Sequence, residues 1–344
     1  MHYAFTEDQL MFRDAVRSAL EREVTPERLR ARWESEDTAA DEAALWETLA
    51  GLGLLGMMAP TARGGLGMSL LDVTLLLEET GRVALPAPLV ATSVMAAPLL
   101  AEVPEAAERW LKPLIGGDAI VAVGLASGSP WVADADRAAV ALLEADGALH
   151  AVPRDALELT PEVSVDRSRR LFRVGWTPTE ATRIADGEEA RRLTAAAFNR
   201  GLVATSAQLI GLSRRMLEVT VAYASERTQF SRPIGSFQAV KHHLADALIR
   251  QEFAAPVVHR AAHSLSRPGA DPETLDAHAS HAFIAASEAA RLVARKALQC
   301  HGAMGYSYEV DLHLWMKRAW ALSASWGSPG WHLDRVEALA LRDP

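Results

Sequence analysis

Apolar positions near the start of the chain recur at helical spacing. Thr6 and Gln9 have the spacing of a capping box, in which each side chain bonds the other residue's backbone N–H. Leu10, Val16 and Leu20 then follow with a period close to 3.6 residues. The pattern predicts a first helix that begins directly after Thr6.

Three more helical segments are predicted in the first third of the chain. One lies near 41–52 and is interrupted by glycines, one opens at Ser69 with a run of leucines, and one runs from Pro88 to about Gly116. The glycine loop 64–67 between them lacks the lysine and hydroxyl residue of a P-loop, so a plain turn is favoured over a phosphate cradle.

The middle of the chain has a different pattern. Short apolar runs at 119–123, 138–143 and 171–174 are separated by Gly, Pro and Asp, and no helical period links them. Such runs are typical of strands joined by tight turns, although the runs are rich in alanine, which is a weak strand former. We predict a small β region.

From about Gly187 the helical period returns over much longer stretches. Four helices are predicted, the first over 202–223, the second over 236–265 with Pro256 as a kink, the third from 272 to about 300, and the fourth over 312–324. Long helices with short connections favour an antiparallel four-helix bundle. The predicted fold is therefore α+β and mostly α, with a helical domain at 1–117, a β domain at 118–186 and the bundle at 187–344.

Composition narrows the function classes. The 344 residues carry a formal net charge of −9, which argues against a nucleic-acid-binding protein because phosphates require basic surface. The single cysteine, Cys300, excludes an intramolecular disulfide and a zinc cluster of several cysteines, and we expect it to be a buried small residue. The first residues lack a signal-peptide pattern, and charges interrupt every apolar stretch before the ~20 residues of a membrane span. We expect a cytoplasmic protein without a membrane partner.

Two histidine pairs could suggest a metal. His242 and His243 stand near Asp246, and His278 and His281 are three residues apart on the third bundle helix. Metal sites need more ligands than these sets offer, so polar surface or interface is the favoured interpretation and no metal is predicted.

Local motifs point to a family. The chain carries Phe-Thr-Glu-Asp-Gln at 5–9, Gly-Gly-Leu-Gly at 64–67, Glu-Glu-Thr-Gly-Arg at 78–82, Arg-Thr-Gln-Phe at 227–230, Phe-Gln at 237–238 and Gln-Cys-His-Gly-Ala at 299–303. Together these motifs resemble the acyl-CoA dehydrogenase family over essentially the whole chain. The combination of Arg-x-Gln-Phe, Phe-Gln and Gln-x-x-Gly carries most of the resemblance.

The resemblance implies FAD, held in an extended pose between two subunits. Arg227 would reach the pyrophosphate of the neighbour's FAD, and Phe230 would pack on its adenine half. A guanidinium suits this task because its planar fork contacts two oxygens at once. Gly302 would let the backbone approach the cofactor closely. The full set of cofactor-binding residues implied by the resemblance is Arg227, Gln229, Phe230, Gln238, Gln299, Gly302 and Ala303.

The residue that typical members use as catalytic base is missing. They place a glutamate after the fourth bundle helix, where this chain has Gly327 and Ser328, and no Asp or Glu occurs over 312–333. A minority place it early in the bundle, where this chain has Gly201 and Leu202, and no Asp or Glu occurs over 190–217. No catalytic residue is therefore predicted.

Two polar residues stand near those positions. His332 is expected to cap the terminal helix or to face solvent, and Arg200 would be a poor base. Trp315, Trp320, Trp326 and Trp331 do not form a simple helical stripe. They are expected to fill the space left by the missing base or to pack at a subunit contact.

The β domain also departs from the family pattern. The Thr-Glu-Pro-x-x-Gly-Ser loop that lies on the flavin ring corresponds to residues 124–130, which lack the Thr-Glu-Pro core. A strand resembling Trp-Ile-Thr, which also contacts the ring, is not recognised in the sequence, and the domain is interpreted as shortened.

These departures favour the interpretation that the chain resembles one of the two kinds of subunit in a two-gene α₂β₂ acyl-CoA dehydrogenase, of the kind found in bacterial steroid degradation. The partner, a homologous catalytic subunit, would supply the base for FAD-dependent α,β-dehydrogenation of an acyl-CoA. Self-association into a dimer or tetramer stays open. So do two other functions: a flavin-free lyase or cyclase built on this fold, and a structural homo-oligomer. The acyl group is not specified by the sequence.

Overall fold

The computed structural model describes residues 4–35, 38–125 and 130–341. Its N-terminal part is helical, as predicted, and the Thr6 and Gln9 side chains form the reciprocal capping box. The helices are α1 (Glu7–Glu23), α2 (Pro26–Glu34), α3 (Ala39–Gly51), α4 (Leu70–Arg82), α5 (Ala97–Ala101), α6 (Pro104–Ala106) and α7 (Lys112–Gly116). Helix α2, with Thr25 as its cap and Pro26 at its first position, was not predicted.

Seven short strands follow among the described residues, which confirms the β region. They are β1 (Val121–Gly124), β2 (Val132–Ala133), β3 (Val140–Ala145), β4 (Ala148–Pro153), β5 (Glu158–Glu162), β6 (Leu171–Gly175) and β7 (Arg183–Ala185). One sheet has the order β1-β3-β4-β7 and the other the order β2-β6-β5. The pair β1–β3 is parallel and the remaining pairs are antiparallel.

The C-terminal part is a bundle of long helices. These are α8 (Gly187–Glu226), α9 (Gln238–Leu265), α10 (Pro272–His301), α11 (Leu312–Leu322) and α12 (Pro329–Ala340), with the small hairpin β8 (Thr228–Gln229) and β9 (Arg232–Pro233) between α8 and α9. The four predicted bundle helices correspond to α8 to α11. Cys300 is buried in the last turn of α10, as expected.

Two glycines bring the N-terminal helices into backbone contact with the bundle. A Cβ atom on Gly211 of α8 would stand 1.8 Å from the carbonyl oxygen of Glu78, and one on Gly81 of α4 would stand 2.0 Å from that of Gln208. Only glycine permits so close a crossing of two helices. The contact fixes α4 against α8, and with it the loop after α4 that lines the cavity described below.

Candidate functional site

A strained aromatic residue stands on the surface after α8. Phe230 and Ser231 form the turn of the β8–β9 hairpin with φ values of +52° and +64°. A bulky residue in this region is an outlier that costs of order 1–3 kcal/mol, and such strain concentrates at functional positions. Phe230 is nevertheless 88% exposed, and among the described residues its ring contact is edge-on to Phe237 at 6.1 Å. The hairpin therefore presents an aromatic ring to solvent.

Hydrogen-bond donors surround that ring. Arg227 directly follows α8, and its exposed guanidinium has no ion-pair or hydrogen-bond partner in the described part of the chain. Gln229 lies in the hairpin and Gln238 opens α9, both exposed. These three residues and Phe230 form what we call the hairpin edge, an open surface of donors and one aromatic ring.

The third predicted motif lies at the end of α10. Gln299 is exposed in the last turn, and Gly302 follows with φ +60° and ψ −138°, a conformation close to one that only glycine adopts readily. Next to it, His301 stacks on Tyr223 of α8 with ring centres 4.3 Å apart. The stacking anchors the turn that carries Gly302 and Ala303 beside the last turn of α8, which leads into the hairpin edge.

A separate cavity of about 160 Å³ lies where the loop after α4, the β region and the bundle meet. Its apolar wall comes from the α4 loop, from both sheets and from the end of α11 with the loop after it, and its polar groups come from the β region and from α8 and α11. The lining residues used below are Leu85, Trp131, Asp134, Arg169, Leu171, Thr205, Arg318 and Trp326.

Trp326 closes one side of this cavity and packs on α8. Its indole N–H donates to Thr205 Oγ1 at 2.9 Å, and its ring meets Phe198 edge-on at 5.4 Å. A Cβ atom on Gly201 would stand 2.5 Å from Trp326 Cη2 and 2.8 Å from Met95 Sδ. The indole thus fills the space that a side chain at position 201 would need.

His332 does not face solvent, so that expectation is wrong. Its side chain is fully buried because α12 folds back onto α10. Nε2 donates to the carbonyl oxygen of Trp326 at 2.8 Å, and Nδ1 accepts from the hydroxyl of Ser280 at 3.1 Å. Burial lowers the pKa of His332 to about 4, so the ring is neutral at pH 7. Its contacts hold the loop that carries Trp326.

The charged groups of the cavity are mostly paired. Arg318 forms a buried ion pair with Asp166 and donates to Leu85 O and Ser168 Oγ, each at 2.8 Å. Asp134, at φ +58°, accepts two bonds from Arg137, yet burial raises the pKa of its carboxyl. Sequence reasoning did not single out Arg169, Asp134 or Arg318. For Arg169, the arginine-rich stretch 167–170 was a signal that could have been used.

A strand missed in the sequence also reaches this cavity. Trp131 lines the wall directly before β2, which pairs with β6. Among the apolar runs predicted as strands, none covered Val132 and Ala133. This strand was missed because it has only two paired residues and no apolar alternation. Residues 126–129, which belong to the stretch that corresponds to the family's flavin-ring loop, lie outside the described residues.

Two models of known protein families match this chain. "Acyl-CoA dehydrogenase, N-terminal domain" matches residues 6–118 and "Acyl-CoA dehydrogenase, C-terminal domain" matches residues 191–339. The chain is 33% identical to the acyl-CoA dehydrogenase IpdE2 of Mycobacterium tuberculosis, over 98% of this chain and 99% of that protein.

It belongs to the acyl-CoA dehydrogenase family.

Two solved structures are similar to this chain over nearly its full length. The ChsE4-ChsE5 complex of Mycobacterium tuberculosis contains a chain with 25% identity and a TM-score of 0.85, each chain being covered fully. A variant of the Tcur3481-Tcur3483 steroid ACAD gives 27% identity and a TM-score of 0.84, with 97% of this chain and 98% of that chain covered. The match extends over nearly the full length of these proteins.

Within the acyl-CoA dehydrogenase family, FAD is the general cofactor. The hairpin edge fits part of such a cofactor, because exposed guanidinium and amide donors suit phosphate and the exposed ring suits stacking. The cavity does not fit the flavin of this chain's own FAD: about 160 Å³ is close to the volume of an engineered cavity that holds one benzene ring, whereas a flavin has three fused rings.

The histidine pairs show no metal-like arrangement in the part of the chain that is described. The ammonium of Lys296 lies 3.0 Å from His243 Nδ1 and 2.9 Å from Asp246 Oδ2, so a cation of the protein itself occupies that set. No group of three or more His, Cys, Asp or Glu that could hold a metal ion is found among the described residues. Over the same residues, no helix is both long and apolar enough to cross a membrane.

Proposed function

We propose that this chain is a subunit of an FAD-dependent acyl-CoA dehydrogenase whose FAD is shared across a subunit interface. In this arrangement the hairpin edge contacts FAD held mainly by a homologous partner. Arg227 binds the pyrophosphate, Phe230 stacks on the adenine half, and the amides of Gln229 and Gln238 donate nearby. The backbone of the turn at 299–303, where Gly302 lacks a side chain, approaches the same cofactor. Bound FAD supplies the acceptor for the hydride that leaves the acyl chain.

The observation that carries the proposal is the strained and exposed Phe230. Its ring is open to solvent, and among the described residues the ring contact it makes is with the edge of Phe237. The positive φ belongs to the two-residue hairpin turn, and a cofactor bound at a subunit interface would cover the exposed ring.

The partner would also supply the catalytic base. The two positions at which the family carries its glutamate, 327–328 and 201–202, hold no acid here. The structure supports this step, because Trp326 leaves no room for a side chain on Gly201 and Ser328 is used as the helix cap of α12. The chain's own contribution is therefore to position FAD. We further propose a thioester from steroid degradation as the substrate, because the Tcur3481-Tcur3483 relative is described as a steroid ACAD.

Co-expression with a homologous acyl-CoA dehydrogenase chain from a neighbouring gene, where one is found, tests the proposal. The chain purified alone should be colourless, and the complex should carry FAD, seen as flavin absorbance, and oxidise an acyl-CoA. In the complex, Arg227→Ala should weaken FAD binding about tenfold or more, because charge-assisted bonds to phosphate are lost.

Arg191→Ala is the matched control. Arg191 is also exposed and lies near the start of α8, about 50 Å along the helix from Arg227, which follows its end. Equal FAD loss in both variants would contradict the role of Arg227. Stoichiometric FAD and strong acyl-CoA oxidation by the chain alone would overturn the whole proposal, and a colourless homotetramer that accepts no partner would favour a lyase or a structural role.

A further inference from the structure

The cavity contains one cation that lacks a carboxylate. Of the arginines near it, Arg318 is paired with Asp166 and Arg137 with Asp134. Arg169 lines the same cavity and has no ion pair in the described part of the chain. The carboxylates of Asp166 and Asp134 are thus each paired with another arginine. The guanidinium of Arg169 therefore leaves the cavity with an excess of positive charge.

Most of the hydrogen-bonding capacity of Arg169 is unused. Among the described residues its guanidinium makes one hydrogen bond, from Nη1 to the carbonyl oxygen of Ala321 at 3.2 Å. A guanidinium carries five N–H donors in a planar fork, and Arg169 is half-buried in the cavity wall, so its remaining donors are open to a ligand that enters the cavity. Burial and the neighbouring charge of Arg318 lower the pKa of Arg169. An anion in the cavity would supply the missing counter-charge.

The rest of the wall selects the kind of anion. Leu85, Leu171, Trp131 and Trp326 present apolar surface around the guanidinium. A bare inorganic anion would gain nothing from that surface, whereas an organic acid would place its carboxylate on the fork of Arg169 and its apolar body against the indoles. The volume of about 160 Å³ admits a group of about one six-membered ring.

We propose that this cavity is a binding site for a compact organic carboxylate, with Arg169 as its anion-recognising residue. The site goes beyond the proposed function, which needs no ligand in this cavity. Only the further step, that the carboxylate belongs to the acyl group of a thioester, rests on the proposed function.

Benzoate and benzamide are the probes, because they share one ring and differ in charge. Each is titrated into the full-length chain, with tryptophan fluorescence as the readout, since Trp131 and Trp326 line the cavity. Benzoate should bind at least about tenfold more tightly than benzamide, the size expected for charge-assisted hydrogen bonds. Neither FAD nor a partner is present, so the result does not depend on whether the proposed function holds.

Arg169→Met should remove the preference for benzoate and leave benzamide binding unchanged, which also shows that the cavity is still folded. Arg167→Met, which changes an exposed arginine two residues away, should keep the preference. The proposal is overturned if benzoate does not bind, if benzamide binds as tightly, if Arg169→Met keeps the preference, or if inorganic phosphate displaces benzoate at equal concentration.

Discussion

The contact between Gly201 and Trp326 yields a quantitative prediction for Gly201→Ala. Gly201 lies inside helix α8, where alanine in place of glycine should stabilise the fold by about 1 kcal/mol. The new Cβ would stand 2.5 Å from Trp326 Cη2, and overpacking of this kind costs about 1–3 kcal/mol. The variant should therefore lie between no change and a loss of about 2 kcal/mol in the free energy of unfolding.

Removing the indole should reverse the sign of this effect. In a Trp326→Leu background the clash disappears, the flexible Met95 side chain can move, and only the helix preference remains. Gly201→Ala should then stabilise by about 1 kcal/mol. The double-mutant cycle should thus give a coupling energy of about 1–3 kcal/mol, measured by urea unfolding followed by far-UV circular dichroism.

Gly211→Ala provides the contrast. There the Cβ meets the backbone carbonyl of Glu78 at 1.8 Å, which no side-chain change can relieve, so Trp326→Leu should not rescue it. Gly51→Ala, with nothing within 4 Å of its Cβ, should not destabilise in either background. A coupling energy between positions 201 and 326 below about 0.5 kcal/mol would refute the claim that the indole fills the space at position 201.

Three more perturbations follow from the site. The pKa of His332 is lowered from 6.5 to about 4 in the folded chain, so between these two pH values the imidazole is protonated in the unfolded chain and neutral in the folded one. About 3 kcal/mol of the unfolding free energy that is present above pH 7 should therefore be lost as the pH falls from 6.5 to 4. Urea titrations should find this pH slope reduced in His332→Gln and kept in the exposed His281→Gln. Phe230→Asn should stabilise the isolated chain by about 1 kcal/mol in thermal unfolding, since Asn tolerates positive φ, while the complex with the partner loses FAD; unchanged FAD retention would contradict the stacking role. Arg318→Met should lower the free energy of urea unfolding by about 3–5 kcal/mol because Asp166 stays buried without its cation, and a loss below 1 kcal/mol would count against that ion pair.

The sequence predicted the features that depend on local pattern. The capping box at Thr6, the apolar runs at 119–123 and 171–174 and the long bundle helices are visible over a few residues, and the structure has a capping box, strands at 121–124 and 171–175 and long helices there. The sequence also showed that no acidic residue stands at either of the two positions where the family carries its catalytic glutamate. Helix α2 was missed because its nine residues carry no broad apolar face.

The sequence could not predict features that depend on pairing across the fold. His332 was expected to cap a helix or to face solvent, and it is buried because α12 returns to α10, which brings Ser280 within hydrogen-bonding distance. Arg169 stood out only after the structure had paired Arg318 with Asp166. An unpaired charge is a property of all its neighbours, so no local motif reveals it.

The two halves of the candidate site have opposite relations to solvent, and this difference bears on how the subunit works. The hairpin edge is open and strained around Phe230, whereas the cavity is narrowed by Trp326, whose loop a neutral His332 holds in place. If the proposed function holds, the hairpin edge serves a partner's cofactor and the cavity is not needed for that role. The cavity nevertheless presents the Arg169 guanidinium, which makes one hydrogen bond among the described residues. The FAD test of the hairpin edge and the benzoate titration of the cavity can therefore succeed or fail independently of each other.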